Sequence, residues 1–274
     1  MQNMTFLFFL YYLCISMTIK KNIRQRLIAY AEKYETAEFL QGDPSWFMHQ
    51  VYDPRDQEIM AFLASCLSYG SRKAFFPKVQ ALLNYSRYKP FEWIFHQRYC
   101  KDIADNNQCF YRLYTHHDMF VFFNALHSML INYGSIHAFL LAEKQDKSSI
   151  NKMTALETVD ILCHYFSVRG VKGIIPKNSQ SSCKRICMFL RWMVRDHSPV
   201  DLGIWNNLID KRSLIIPLDT HVMKEANALG LLSTRTTSMS TARKLTQQLA
   251  EIFPDDPAKG DFALFGYATD LSLK

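Results

Sequence analysis

Residues 161–195 hold seven cations, Arg169, Lys172, Lys177, Lys184, Arg185, Arg191 and Arg195, and no Asp or Glu. The chain has 32 Lys and Arg against 25 Asp and Glu, a formal net charge of +7, so this one window carries the entire excess. Charge focused in this way suits a polyanion such as nucleic acid; its plainer reading is a solvated helix face beside a loop. Downstream, the apolar run Leu214-Ile215-Ile216-Pro217-Leu218 ends on Asp219, and Thr220, His221 and Val222 open a helical pattern stopped by Gly230. Asp219 stands where an N-cap stands. Its carboxylate can accept from the free amides of that helix at the positive end of the dipole, which keeps it ionised.

Sulfur and imidazole chemistry is less promising. Cys14, Cys66, Cys100, Cys109, Cys163, Cys183 and Cys187 form an odd set without a Cys-x-x-Cys pair, which predicts reduced thiols and a cytoplasmic protein. Cys183 and Cys187 share a helix face and could offer zinc two thiolates, but no paired Cys/His motif accompanies them, so they read as small buried hydrophobes. No cysteine follows Cys187, which excludes a C-terminal four-cysteine iron–sulfur loop. His116 and His117 are adjacent, so their side chains diverge on a helix. Neither a metal nor a cofactor is expected.

The elements that must position these groups are helices. At 274 residues, 49% hydrophobic, 21% charged and 14% aromatic, the chain can bury its own core, and a disordered, collagen-like or disulfide-stapled protein is excluded. Apolar residues recur at helical spacing, as in Ile23, Leu27, Ile28 and Tyr30, then Ile59, Phe62, Leu63, Cys66 and Leu67. The pattern predicts a helix from Asp56 toward Gly70, another over Phe75–Leu83, and further ones over 118–132, 134–143 and 153–167. Residues 144–152 are polar and read as a lobe boundary or a surface loop. Asp256 and Pro257 should open a last helix running toward Gly266.

Residues 168–183 (VRGVKGIIPKNSQSSC) form a loop that leads into a helix over 183–195. At 100° per residue, Lys184, Arg191 and Arg195 fall within about 20° of one line. The opposite side carries Ile186, Cys187, Phe189, Leu190, Met193 and Val194, so the helix is expected to turn three cations outward to phosphates.

At the N-terminus, Met4–Met17 is a run of 14 mostly apolar residues followed by Lys20, Lys21 and Arg24. It is too short to span a bilayer and lacks the flanks of a signal peptide. Residues 1–16 read as an apolar extension ahead of a true start at Met17, or alternatively as a membrane-associated anchor.

A basic helix approached through a Pro- and Ser-rich loop, then an apolar segment ending in Pro-Leu-Asp-Thr-His-Val, resembles the helix-hairpin-helix (HhH-GPD) DNA glycosylase superfamily. The blocks Ala61–Arg72 (AFLASCLSYGSR), Cys183–Arg195 (CKRICMFLRWMVR), Val200–Trp205 (VDLGIW), Pro217–Val222 and Lys259–Tyr267 (KGDFALFGY) resemble the DUF2400 family, a bacterial family assigned to the same fold. The resemblance covers nearly everything after residue 40. It implies an all-α, two-lobed helix-hairpin-helix glycosylase-like fold over residues 17–274. It further implies a monomer without an obligate protein partner that acts on damaged duplex DNA as a base-excision glycosylase, with abasic-site lyase activity if a lysine is the nucleophile. The alternative is a noncatalytic DNA-binding protein that keeps the fold.

Residue by residue, Lys184 matches the superfamily's nucleophilic lysine and Asp219 its catalytic aspartate. Their separation of 35 positions is nearest to that in archaeal 8-oxoguanine glycosylases, so an oxidised purine is implied by analogy. The hairpin reads Ile175-Pro176-Lys177-Asn178-Ser179-Gln180 and lacks the glycines of the superfamily's Leu-Pro-Gly-Val-Gly turn. The resemblance pairs the two residues for a chemical reason. Breaking an N-glycosidic bond builds positive charge on the sugar, which a carboxylate stabilises, while a deprotonated amine attacks C1′. The plain alternative is that Lys184 touches phosphate and Asp219 caps a helix. Lys172, Lys177, Arg185, Arg191 and Arg195 are the expected DNA contacts. His221, Trp192, Tyr69, Lys259 and Asp261 are candidates to line the pocket, with Trp192 and Tyr69 able to stack on a flipped base. Against that, core packing suits both aromatics, and a salt bridge suits Lys259 and Asp261.

Overall fold

The structure is a computed structural model and describes residues 21–144 and 151–272. The expectations for residues 1–16 and for the polar stretch 145–150 lie outside those residues. The chain is mostly helical, as its periodicity predicts. Among the described residues no helix is long and apolar enough to cross a membrane.

A helix over 21–34 (α1) leads through two 3₁₀ turns, Ala37–Leu40 and Pro44–Gln50, into α2 (Pro54–Leu67). The start of α2 is set by Asp53, whose carboxylate accepts from the Arg55 amide at 2.8 Å, and by Pro54 with its fixed φ at the first helical position. This places the cap three residues before the expected Asp56. Asp56 is instead buried and accepts from the Phe91 amide at 2.9 Å. A turn through Gly70 (φ +89°) leads to α3 (Arg72–Tyr85), then the short α4 (Pro90–Phe95) and α5 (Tyr99–Asp102). A two-stranded antiparallel hairpin follows, β1 (Cys109–Tyr111) and β2 (Tyr114–Thr115).

Next come α6 (His116–Tyr133), α7 (Ile136–Glu143) and α8 (Ala155–Val168). Capping boxes at Thr115/Asp118 and Thr154/Glu157 start α6 and α8, and left-handed Gly134 ends α6. The remaining helices are α9 (Lys184–Val194), α10 (Thr220–Ala228), α11 (Met239–Ala250) and α12 (Gly260–Ser272).

α2 runs through the middle of the core, with every residue from Met60 to Leu67 buried. The ring of Phe62 lies 5.9 Å from that of Phe122, 5.5 Å from Phe166 and 5.0 Å from Phe189, so α2, α6, α8 and α9 meet at one aromatic cluster. Burying each such ring contributes roughly 1.5–3 kcal/mol. This contact fixes α9, and with it Lys184, against the rest of the molecule.

Candidate functional site

Lys184 is the first residue of α9, and Asp219 is the N-cap of α10. The buried run Leu214–Leu218 pins the start of α10, helped by the Ile216 amide donating to Thr246 at 3.1 Å. Asp219 Oδ1 accepts from the amides of His221 (2.9 Å) and Val222 (2.8 Å), which is the cap the sequence predicts. Its other oxygen, Oδ2, accepts from Lys184 Nζ at 2.7 Å. Two residues 35 positions apart therefore share one ion pair, with the two side chains 37% and 27% exposed. Burial pushes the Asp219 carboxyl up, but the charge and hydrogen bond of Lys184 and the Val222 amide outweigh it, so the carboxyl lies below its ordinary value.

The pair lies in a cleft of about 960 Å³, lined also by Tyr69, Arg185, His221 and Asp261. Asp261 is on the same wall and is held by Arg191. Burial raises its carboxyl above the ordinary range, although the Arg191 and Lys184 charges oppose it. One cleft therefore holds two carboxyls shifted in opposite directions. The residue before Lys184, Cys183, is in the left-handed region at φ +44° and makes no side-chain cap to α9. A non-glycine residue there costs on the order of 1 kcal/mol, strain of a kind that clusters at functional sites.

The outward row of three cations on α9 does not form. Arg191 and Arg195 are 3% and 2% exposed and are matched by carboxylates from elsewhere in the chain. Arg191 bonds Asp201 (3.2 Å) and Asp261; Arg195 bonds Asp201, Asp256 (2.8 Å) and Glu35 (2.7 Å). Lys259 joins them through Glu35 at 3.7 Å rather than facing the cleft. Arg191 and Arg195 are corrected from DNA contacts to core ion pairs, and Lys259 from pocket residue to a member of their network. Trp192 is wholly buried on the core side of α9, where no base can reach it, so its stacking role is withdrawn as well. Lys172 and Lys177 are exposed. Arg185 lines the cleft, but its nitrogens donate to Cys66 O, Tyr114 Oη and Gly173 O, each at 2.8 Å, which braces the wall. Cys183 and Cys187 are both buried, and among the described residues no three His, Cys, Asp or Glu side chains converge to hold a metal ion.

The cleft wall instead mixes Arg72, Lys184, Arg185 and Arg191 with Asp43, Asp219, Glu225 and Asp261. Residues 59–91 also lack Asp and Glu and carry Arg72, Lys73, Lys78, Arg87 and Lys89; residues 106–117 lack them and carry Arg112. The turn Tyr69–Arg72 lines the cleft, and the Arg112 guanidinium lies 4.7 Å over the Tyr69 ring. Two of these acid-free segments line the cleft, and the third reaches it through the Arg112–Tyr69 stack.

No curated protein and no solved structure was found that matches the chain. A family model described as a protein of unknown function (DUF2400) matches residues 43–270, which take in α2 through most of α12 and both members of the Lys184–Asp219 pair. The chain therefore belongs to the DUF2400 family.

Proposed function

We propose that this protein is a DNA base-excision glycosylase with abasic-site lyase activity, built on a two-lobed helix-hairpin-helix glycosylase fold. The observation that carries the reading is the 2.7 Å contact between Lys184 Nζ and Asp219 Oδ2 inside a cleft whose wall also carries Arg72 and Arg185. In this reading α8, the 169–183 loop and α9 serve as the helix, hairpin and helix of such a fold. The first turn of α9 has no side-chain cap and opens on the cleft, as a phosphate site requires.

In this reading a damaged nucleotide leaves the duplex and places C1′ between the two side chains. Loss of one proton from the ion-paired Lys184 ammonium frees its lone pair, and the C1′–N bond to the base breaks as Nζ bonds C1′. That proton passes through Asp219 to the departing base, and the ionised Asp219 stabilises the positive charge on the sugar. Opening of the sugar ring carries a second Nζ proton to O4′ and leaves an imine. Transfer of a C2′ proton to water then expels the 3′ phosphate as a monoester and nicks the strand. An oxidised purine is the first lesion to test.

The same ion pair favours one other reading, a noncatalytic DNA-binding protein in which Lys184 and Asp219 serve only to hold α9 against α10. Incubation with a panel of lesion-bearing duplexes separates the two. The enzyme reading expects base release by the wild type and a loss of about 10²–10³-fold in Asp219→Asn. Duplex binding with no release from any lesion favours the noncatalytic protein.

A further inference from the structure

Cys183 is the N-cap of α9, yet its side chain does nothing for that helix. Its φ of +44° is a conformation that glycine or asparagine adopts more readily, and its thiol makes no cap. The Sγ lies instead 3.5 Å from both the Ser181 hydroxyl and the Asn178 carbonyl, and within hydrogen-bonding reach of the Cys163 thiol on α8. Cys163 is wholly buried, one turn before the Phe166 ring that packs with Phe62. Cys183 is only 3% exposed but lines the cleft beside Lys184. One thiol of the pair is thus sealed in the core, and the other is at an opening.

The two also differ in acidity. Donation by the Cys163 thiol holds the Cys183 thiol below the ordinary cysteine value, against burial and with help from the Ser181 hydroxyl; the same bond, with burial, pushes Cys163 up. Cys187, one turn along α9, is buried, and burial pushes its thiol up as well. An acidified thiol on an access route, with a second thiol in reach, is the arrangement that oxidises in two steps. We propose that Cys163 and Cys183 form a reversible disulfide when the protein meets hydrogen peroxide, and that the bond slows the chemistry of Lys184; the second half rests on the DNA reading above. The Cys183 thiolate attacks one peroxide oxygen, the O–O bond breaks, and a sulfenic acid forms as hydroxide leaves and takes up the proton that Cys183 gave. The Cys163 sulfur then displaces the sulfenic oxygen, which departs with the Cys163 proton as water. Two thiols lose two electrons, and the peroxide becomes two waters. Closing the bond draws Cys183 off Ser181 and Asn178 toward α8, and so moves the backbone from which Lys184 extends. A reacting group misplaced by about 1 Å can lose about a hundredfold in rate.

The test treats the protein with hydrogen peroxide, alkylates the remaining thiols and digests with trypsin. Cleavage after Lys and Arg separates residues 153–169, 178–184 and 186–191, which carry Cys163, Cys183 and Cys187 respectively, so each pairing gives its own linked peptide by mass. Linkage of 153–169 to 178–184 is expected, released by dithiothreitol, absent in Cys163→Ala and kept in Cys187→Ala. Borohydride trapping on lesion-bearing duplex should fall about tenfold or more after oxidation and recover with dithiothreitol, whereas Cys163→Ala should trap equally with and without peroxide. Absence of that linkage, or a link between Cys183 and Cys187 in its place, overturns the disulfide. The linkage with undiminished trapping overturns the effect on Lys184. If reduced wild type traps no lesion at all, the DNA reading falls and takes the effect on Lys184 with it, while the disulfide, read by mass alone, stands.

Discussion

Arg195 grips Asp256 through two nitrogens, with Nε 2.9 Å from Oδ1 and Nη2 2.8 Å from Oδ2, at a site where the arginine is only 2% exposed. Asp201, whose side chain is wholly buried, receives both Arg195 and Arg191 and ties the network together. Asp201→Ala leaves two guanidiniums short of an acceptor inside the core. Removing one partner of a buried ionic cluster costs roughly 3–5 kcal/mol. Urea unfolding should show that loss as a lower midpoint at unchanged slope, and a loss below about 1 kcal/mol would remove the network from the account of stability.

Glu58 on α2 gives the fold a pH dependence. Its carboxylate accepts from the amides of Ile136 (2.8 Å) and His137 (3.0 Å) at the start of α7, and from Trp205 Nε1 (3.1 Å). Burial pushes the carboxyl up from its ordinary 4.5 to about 7 against those three bonds. The folded protein therefore holds this proton more tightly than the unfolded chain does. The group's contribution is full below pH 4.5 and is lost as pH rises through 7, a change on the order of 3 kcal/mol. Denaturation of Glu58→Gln across that window should be flatter than wild type; an identical slope would rule Glu58 out as the source.

The local signals were the legible ones. Asp219 could be identified as a cap because a cap is decided within three residues, and the buried α2 and α9 follow from apolar spacing. The helical wheel identified which cations share a face of α9, but not whether that face meets water. The acids that bury it, Glu35, Asp201, Asp256 and Asp261, are scattered over the chain. The hairpin is not legible in the sequence because strands of three and two residues leave no period to detect. α11 does carry a local signal, the Ser238 cap, whose hydroxyl accepts from the Thr241 amide. The meeting of Lys184 with Asp219 is a tertiary event that no spacing encodes; only the resemblance put the two in one site.

The exposed and buried cations of residues 161–195 should behave differently in DNA titrations. Lys172→Ala or Lys177→Ala, both at exposed positions, should each lower the slope of log affinity against log salt by about one. Arg191→Ala and Arg195→Ala should instead lower thermal stability. If the two lysine variants keep the wild-type slope, the loop carrying them does not touch phosphate.

The most direct test of the proposed chemistry is trapping of the imine with borohydride on lesion-bearing duplex. Wild type should form a covalent protein–DNA adduct. Lys184→Gln should form none while still binding the duplex, and Asp219→Asn should form it about 10²–10³-fold more slowly. An adduct of wild-type yield in Lys184→Gln would contradict the assignment of Lys184 as nucleophile.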